Sequence, residues 1–420
     1  MKDISITTLD NGLRIATDRV DSVETVSLGM WIGAGARHEA KEVNGVAHLL
    51  EHMFFKGTER RNASTIASEI EAVGGHLNAY TGRETTAYHA KVLAEHVPLA
   101  VDILADMLQH SIFDETELSR ERDVVLQEIA QSRDTPDDII FDEFQALAFP
   151  DQPLGRPVLG QTEIVASLGR DALHAHRDRH YLASDMVFAA AGKVEHEALV
   201  ELVAKHFVSI APGNRVQVAA AAYQGGDRRE TRELEQLHSV VGFPGVAVSD
   251  PEFYVCAVLS NLLGGGMSSR LFQEIREKRA LAYSVYSFTS AFRDCGLLGI
   301  YAGAGPERAA ELLPALAGEL TGLAATLREE EIDSSRAQLK ASLLMGLEST
   351  GARCEQLAQQ LLTFGRALSV EEIVDQVDAV DKPRIAALAT EIFSGRPTLA
   401  VIGPESKLES YDNFATRFTA

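Results

Sequence analysis

The segment from Asn44 to Gly57, NGVAHLLEHMFFKG, places two histidines and a glutamate at helical spacing. A possible N-cap at Asn44 and a helix stop at Gly57 predict a short helix. His48 and His52 are four residues apart, so their imidazoles would share one helix face, with Glu51 beside them. Two imidazoles and a neighbouring carboxylate are what metal-assisted hydrolysis needs. The pattern fixes only three positions, however, and it also fits two ordinary half-buried histidines beside a solvated carboxylate.

A catalytic zinc ion needs a third protein ligand, and the best candidate is Glu128. It lies in the segment 115–131, ETELSRERDVVLQEIAQ, whose apolar positions predict a helix with one buried side. Glu121 stands seven residues earlier, two turns back on nearly the same face, where its carboxylate could hydrogen-bond a liganding histidine. With Glu128 as the ligand, Glu51 stays free to act on the water. Glu128 alone also fits a solvated helix charge.

The composition limits the class of protein that could contain this site. The 420 residues, 45% apolar and 24% charged, are typical of a soluble globular protein that is long enough for two domains. Asp and Glu outnumber Lys and Arg by 61 to 39, and the net charge of −22 disfavours nucleic acid and favours basic peptides. No run of about eighteen apolar residues occurs, so we expect no membrane insertion.

The cysteines and the N-terminus indicate a compartment. Cys256, Cys295 and Cys354 are odd in number and widely separated, so they form neither a disulfide framework nor a metal clip. The first residues, MKDISITTLDNGLRI, lack the apolar stretch of a signal peptide. We expect a cytoplasmic protein of bacterial type, with a processed protein of an organellar matrix as the alternative.

A weak internal repeat organises the chain. Moving the second half back by about 214 positions places 260–267 on 46–53. Each half mixes short alternating runs with long amphipathic helices. We therefore predict an α+β fold of two similar domains related by duplication, each a mostly antiparallel sheet packed with helices. In this alignment the positions of His48, Glu51 and His52 are occupied in the second half by Leu262, Gly265 and Gly266, respectively. Any metal chemistry is therefore confined to the first half.

The middle of the chain contains the best linker candidate. Residues 211–230, APGNRVQVAAAAYQGGDRRE, combine Pro, Gly and small residues without an amphipathic period. We predict an N-terminal zinc-binding domain over 1–212, a linker over 213–230 and a C-terminal domain without metal ligands over 231–420.

Four motifs, in order and spacing, resemble the pitrilysin-like M16 metallopeptidases, the inverzincins. They are GVAHLLEHMFFKGT at 45–58, GGHLNAYTGRETTAYHAKV at 74–92, ERDVVLQEI at 121–129 and LGGGMSSRLFQEIREKRALAYSV at 263–285. The resemblance spans the whole chain and is greatest to the two-domain M16B branch, which includes the β subunit of the mitochondrial processing peptidase and bacterial homologues. It implies that His48, His52 and Glu128 bind one Zn²⁺ per chain and that Glu51 is the general base.

The resemblance also implies that Arg276 and Tyr283, in IREKRALAY, hold the substrate near the scissile bond. An arginine can fix a substrate carbonyl, and a tyrosine hydroxyl can stabilise the developing oxyanion. In the two-domain branch these groups reach the metal from a second chain, so the implied assembly is a homodimer whose active sites are shared across chains. Without the resemblance, the two residues also fit a helix-end arginine and a core tyrosine.

Five further residues resemble peptide-binding groups of the family. Asn78 and Ala79 resemble the edge strand to which an extended peptide adds, and Phe55 resembles the aromatic wall of the pocket after the scissile bond. Asp138 and Asp142 are four apart and could share a helix face. In the mitochondrial relatives, acidic residues at the matching positions receive an arginine two residues before the cut. Asp138 replaces an expected Glu, a shorter reach that weakens this preference; a plain strand, a core Phe and a solvated acidic face fit the same residues.

The combined prediction is a zinc-dependent endopeptidase that hydrolyses extended peptides or presequences and prefers basic residues near the cut. The alternative is a non-catalytic core or scaffold subunit of a larger complex, because relatives in this family also serve in respiratory complexes. Such subunits usually lose metal ligands. This chain keeps the two histidines and both glutamates, together with Arg276 and Tyr283.

Overall fold

The computed structural model describes residues 4–213 and 215–418, and it shows an α+β fold. The strands are β1 (Ile4–Thr8), β2 (Arg14–Arg19), β3 (Thr25–Ile32), β4 (His76–Thr81), β5 (Thr86–Leu93), β6 (Met186–Gly192), β7 (Gly226–Glu230), β8 (Leu237–Gly245), β9 (Ala282–Ala291), β10 (Gly296–Ala304) and β11 (Thr398–Ile402). The helices are α1 (Val46–Phe54), α2 (Ala63–Glu71), α3 (Val97–His110), α4 (Glu115–Asp134), α5 (Pro136–Ala148), α6 (Thr162–Val165), α7 (Arg170–His180), α8 (His196–His206), α9 (Phe253–Gly264), α10 (Ala309–Thr326), α11 (Glu329–Gly346), α12 (Thr350–Phe364), α13 (Val370–Asp378), α14 (Lys382–Ile392) and α15 (Tyr411–Ala415).

Shorter helical pieces join these elements. They are 3₁₀ turns at Ala36–His38, Lys41–Val43, Ala94–His96, Pro153–Gly155 and Ala183–Asp185, and a π-helical segment at Phe272–Lys278. Of the helices in the described ranges, none is both long enough and apolar enough to cross a membrane.

The chain divides into two compact units, each built from separate stretches of sequence. Unit 1 comprises Met1–Ala130, Arg156–Ala219 and Leu344–Ser369, and unit 2 comprises Gln131–Gly155, Ala220–Leu343 and Val370–Ala420. Helix α12 therefore belongs to unit 1, and α5 belongs to unit 2. The sequence did not indicate this exchange of segments, because an apolar helix stripe does not show which sheet it covers. The linker over 213–230 remains a prediction.

Unit 1 contains a six-stranded sheet in the order β1-β2-β6-β3-β5-β4. Strands β2 and β6 are parallel, and the other neighbours are antiparallel. Strand β4 lies at one edge, with Asn78 opposite His89 and Ala79 opposite Tyr88 of β5. Within the described residues no other strand pairs with β4, so its outer backbone groups can accept an added strand.

The two faces of this sheet are covered by different helices, because successive side chains of a strand point to opposite faces. Leu28 and Met30 of β3 face the large core cluster that includes apolar residues of α1 and α3. Trp31, from the same strand, packs with Leu357 and Leu361 of α12 on the other face. Helix α1 thus lies on one side of the sheet and α12 on the other.

Unit 2 contains a five-stranded sheet in the order β7-β11-β8-β10-β9. Strands β7 and β11 are parallel, and the other neighbours are antiparallel. As in unit 1, the parallel pair lies toward one edge of the sheet, and a strand of an antiparallel hairpin forms the opposite edge. Helices α9, α10 and α14 cover one face, and Phe144 of α5 packs on the other. The prediction of two similar, mostly antiparallel sheets packed with helices is confirmed.

Candidate metal centre

Helix α1 begins at a glycine rather than at a capping side chain. Its N-cap is Gly45, which has a φ of 99°, so the predicted cap at Asn44 is wrong. This left-handed conformation favours glycine. A Cβ at Gly45 would also lie 2.7 Å from Val165 and 2.9 Å from the backbone of Gly160, so the start of the helix is tightly enclosed.

Helix α1 buries its apolar residues in the core and leaves the residues that can do chemistry accessible. It ends at Phe54, earlier than the predicted stop at Gly57. The buried side chains are those of Val46, Ala47, Leu49, Leu50, Met53 and Phe54. His48, Glu51 and His52 are only half-buried, so the helix fixes one side in the core and leaves these three accessible.

Three ligand atoms converge between α1 and α4. The Oε2 atom of Glu128 lies 3.8 Å from Nε2 of His48 and 3.6 Å from Nε2 of His52. All three ligand atoms lie within 4.8 Å of one another, and no other such group of His, Cys, Asp or Glu occurs in the described ranges. Tetrahedral zinc with bonds of about 2.0–2.1 Å separates its ligand atoms by about 3.4 Å. The spacing and the donor types therefore fit zinc.

The His48 imidazole is in the form that binds a metal. The rings of His48 and His52 lie edge to face, with centroids 4.7 Å apart. Burial, with a smaller contribution from the neighbouring His52, lowers the pKa of His48 to about 4. A neutral imidazole presents a nitrogen lone pair, whereas the protonated form does not.

Glu121 contacts the opposite side of the His52 ring. Its Oε2 lies 3.0 Å from Nδ1 of His52, and its Oε1 lies 2.7 Å from Nζ of Lys56. The Glu121 residue is only 5% exposed, so its ion pair with Lys56 offsets part of the cost of burying the carboxylate. A proton on Nδ1, donated to Glu121, leaves Nε2 free to face Glu128.

Glu51 is held apart from the three ligand atoms. The Thr81 hydroxyl donates a hydrogen bond of 2.5 Å to Oε2 of Glu51. Burial raises the pKa of Glu51, and the hydrogen bond from Thr81 opposes that rise. The carboxylate thus lies beside the centre with its orientation fixed, and it does not belong to the ligand group found in the described residues.

Strand β4 brings the predicted peptide-binding residues beside this centre. Ala79 packs with the core cluster that contains residues of α1, and Thr81, two residues later, reaches Glu51 from the same face. Asn78 points the other way, into a cavity of about 480 Å³ on the α12 face, where His89 is a neighbour. A peptide added to this edge would therefore present alternate side chains to two different surfaces.

Three other predicted substrate contacts occupy separate places. Phe55 is the C-cap of α1, half-buried and packed against the core of unit 1. Asp138 and Asp142 both lie on α5, in unit 2, where the Ser132 hydroxyl donates a 2.6 Å hydrogen bond to the exposed Asp138. Asp142 is half-buried. Their roles in peptide recognition stay predictions.

Arg276 and Tyr283 contact each other within unit 2. The Arg276 guanidinium lies 5.0 Å from the ring centroid of Tyr283 and 4.7 Å from that of Phe272, both within cation–π range. Tyr283 is 71% exposed, so it is not a core tyrosine. The pair is accessible to a ligand, and its role stays a prediction.

Three residues next to the centre were not found by sequence reasoning. Lys56 follows His52 by four residues, so helical spacing could have indicated it. Thr81 follows Ala79 by two residues, so strand alternation could have placed both on one face. Glu39 caps α1 from outside the helix, and nothing in the local pattern indicates that contact.

Two family models match the chain. The model described as Insulinase (Peptidase family M16) matches residues 14–162, and the model described as Peptidase M16 inactive domain matches residues 167–339. The first range contains the three ligand residues and Glu51. The second contains Arg276 and Tyr283.

Relatives share sequence along almost the whole chain. An uncharacterised zinc protease of Streptomyces coelicolor is 41% identical over 408 residues, covering 95% of this chain and 89% of that protein. An uncharacterised zinc protease of Bacillus subtilis is 38% identical over 405 residues, covering 96% and 99%. A protein of Arabidopsis thaliana named as probable mitochondrial-processing peptidase subunit beta is 39% identical over 427 residues, covering 98% and 80%.

Two solved structures share the fold. A chain of complex III from Candida albicans, with Inz-5 bound, has a TM-score of 0.90 at 21% identity and covers 99% of this chain and 100% of its own. A protease from Helicobacter pylori has a TM-score of 0.88 at 22% identity and covers 96% and 99%. At these identities the likeness shows the fold alone.

Proposed function

Because the chain belongs to peptidase family M16, the insulinase family, we propose that it is a zinc-dependent endopeptidase. The observation that carries this proposal is the convergence of His48, His52 and Glu128, with Glu51 fixed beside them by Thr81. The names of the Streptomyces and Bacillus relatives as zinc proteases support zinc as the metal. Their bacterial origin supports a bacterial-type protein, and a cytoplasmic location remains part of the proposal.

His48, His52 and Glu128 would hold one zinc ion per chain. When bound, the ion would supply Lewis acidity to a water molecule and to the scissile carbonyl. Glu121 contributes by fixing the ring orientation of His52.

Glu51 moves the proton. Its carboxylate accepts a proton from the attacking water as the water oxygen bonds to the carbonyl carbon. When the C–N bond breaks, the same carboxyl group donates that proton to the leaving amine, so Glu51 returns to its starting form. Thr81 keeps the carboxylate in one orientation through both transfers.

The substrate would bind as an added strand along β4, at Asn78 and Ala79. Pairing through backbone groups tolerates many sequences, which suits an endopeptidase for extended peptides or presequences. Thr81 lies on the same strand and contacts Glu51, so a peptide on this edge passes close to the proposed base. Phe55 would form one wall of the pocket that follows the cut.

A preference for basic residues near the cut would come from Asp138 and Asp142. Both carboxylates lie on α5, four residues apart, and the net charge of −22 adds a general attraction for cations. The mitochondrial-processing name of the Arabidopsis relative supports presequence-like substrates.

Arg276 and Tyr283 would complete the active site of a second copy of the chain. We propose a homodimer in which unit 1 of one protomer and unit 2 of its partner form each site. The exposure of Tyr283 supports a role in contacting a ligand. In that role Arg276 would bind a substrate carbonyl and Tyr283 would stabilise the developing oxyanion.

A non-catalytic core or scaffold subunit is the second candidate, favoured by the fold shared with a chain of complex III. Zinc content and turnover separate the two candidates. The endopeptidase should purify with about one zinc per chain and cleave a quenched basic peptide, and a chelator should stop the cleavage until zinc is added back. Metal-free protein without turnover, before and after incubation with zinc, would favour the scaffold.

A further inference from the structure

Glu39 has a buried carboxylate, and the hydrogen bonds that this carboxylate accepts all come from residues at the start of α1. Glu39 is 4% exposed. Its Oε2 accepts hydrogen bonds from the backbone N–H of Gly45 at 2.9 Å and from Nδ2 of Asn44 at 2.7 Å. Its Oε1 accepts from the backbone N–H of Ala47 at 2.8 Å. Ala47 directly precedes the metal-binding His48.

Helix α1 needs such an acceptor from elsewhere. The first N–H groups of a helix have no partner within the helix, and an N-cap side chain normally supplies one. Gly45 has no side chain, and its neighbours Gly160 and Val165 leave no space for one. Glu39 supplies two acceptor oxygen atoms at this place, and its ionised form has a negative charge that suits a helix N-terminus.

Hydrogen bonds also connect Glu39 and its partner Asn44 to a second segment of unit 1. Its backbone oxygen accepts a hydrogen bond from the Arg156 guanidinium. Nδ2 of Asn44 also donates to the carbonyl of Pro157 at 3.0 Å. Burial raises the pKa of Glu39, and the hydrogen bonds from Asn44, Ala47 and Gly45 oppose that rise, so that the resulting pKa is about 7. These contacts fix the carboxylate in one position relative to α1.

We propose that Glu39 is a positioning residue for the metal centre. By fixing the first turn of α1, it fixes His48 in that turn and His52 one turn later, so that both Nε2 atoms face Glu128. This role rests on the proposed zinc site. It predicts that loss of the Glu39 carboxylate weakens metal binding even in protein that remains folded.

Glu39→Gln tests this role with little change in volume. The amide keeps one acceptor but turns an N–H group toward a backbone N–H, so one capping bond is lost. We expect zinc affinity, measured by competition with a chromophoric chelator, to fall by about 10- to 100-fold, the range found when groups that support metal ligands are removed. Glu39→Asp keeps the charge but is one methylene shorter, and it provides a second variant if the glutamine variant does not fold.

Asn62→Ala is a matched control. Asn62 caps α2 in the same unit by accepting from the N–H of Thr65 at 2.8 Å, and α2 contains no metal ligand. Fluorescence of Trp31, the one tryptophan of the chain, reports unfolding of unit 1. We expect both cap variants to unfold at lower urea concentration than wild type, with zinc affinity reduced only in the Glu39 variants.

The possible results separate this role from the proposed function. Wild-type zinc affinity in folded Glu39→Gln and Glu39→Asp, or an equal loss in Asn62→Ala, would overturn the positioning role and leave the zinc peptidase intact. Weaker zinc binding in the Glu39 variants of a protein that shows no peptidase activity would support the role and contradict the function. A wild-type protein that binds no zinc would overturn both.

Discussion

Three glutamates around the centre differ in what their carboxylates contact. Glu128 faces both histidine Nε2 atoms. Glu121 lies behind His52 and is paired with a lysine. Glu51 accepts from a threonine hydroxyl. The same residue type can therefore serve as ligand, as ligand support and as proton acceptor, because its neighbours leave different atoms free in each case.

Thr81→Val should slow turnover without removing the metal. Valine has nearly the same shape but cannot donate to Glu51, so the carboxylate loses the bond that fixes its orientation. A hydrogen bond to a charged group contributes about 1.5–3 kcal/mol, so we expect kcat to fall by about 10- to 100-fold with little change in KM. Thr81→Ser, which keeps the hydroxyl, is the control. Equal kcat values for the valine variant and wild type would show that this bond has no role in catalysis.

Sequence alone predicted the residues whose relation is set by one helix. His48 and His52 follow from a four-residue spacing, and Glu121 and Glu128 follow from a seven-residue spacing. Glu39 was missed because its contact with α1 crosses a loop, and no periodic pattern encodes such a contact. The interaction of Arg276 with an exposed aromatic ring was also outside what spacing can predict.

At the scale of elements, helix interiors were predicted better than their ends and partners. Helix α4 was predicted over 115–131 and spans Glu115–Asp134. The start of α1 was misplaced at Asn44 because the local sequence offers a capping side chain there, whereas the tertiary contacts select Gly45. The placement of α12 on the unit 1 sheet depends on long-range packing, which the helix pattern does not specify.

A buried histidine cluster joins the turn Ala36–His38 to helix α7. The ring of His180 lies 5.8 Å from that of His38 and 4.7 Å from that of His176. Burial lowers the pKa of His38 to about 4, of His176 to about 3 and of His180 to about 4. The neighbouring histidines of the cluster and the charges of Arg37, Arg179 and Arg215 contribute to this lowering. In the folded protein these histidines are therefore neutral at pH 7.

This cluster should make unit 1 sensitive to acid. The unfolded histidines titrate near pH 6.5 and the folded ones lower, so the unfolded state binds more protons below that pH. Stability is therefore fully present above about pH 6.5 and is lost as the pH falls toward 4, by up to about 1.4 kcal/mol per pH unit for each histidine. His176→Gln should flatten the pH dependence of the urea midpoint, followed by Trp31 fluorescence. His110→Gln, at an exposed site, serves as the control; identical pH profiles for all three proteins would refute this explanation.

At the scale of the whole molecule, the two units contain different candidate site residues. Unit 1 contains the proposed metal ligands and Glu51, and unit 2 contains Arg276 and Tyr283. The sequence predicts metal chemistry in the first half alone, because the second half lacks the candidate ligand residues at the aligned positions. The proposed homodimer gives each site one contribution from each chain.

Mixing two inactive variants tests the shared site. A chain with Glu51→Gln retains an intact unit 2, and a chain with Arg276→Ala retains an intact unit 1. Statistical exchange of subunits in an equal mixture makes half of the dimers mixed, each with one complete site, so activity should recover to about a quarter of the wild-type value. A mixture that exchanges subunits, shown by differently tagged chains, and yet stays inactive would contradict a site shared across chains.

Glu51→Gln, assayed for zinc and for peptide hydrolysis in the same sample, tests the zinc peptidase most directly. The amide is nearly isosteric and cannot accept the proton of water, while His48, His52 and Glu128 remain to bind the metal. The variant should contain as much zinc per chain as wild type and lose hydrolysis by at least about 100-fold. Loss of zinc would show that Glu51 is a ligand, and undiminished hydrolysis would show that the reaction does not occur at this centre.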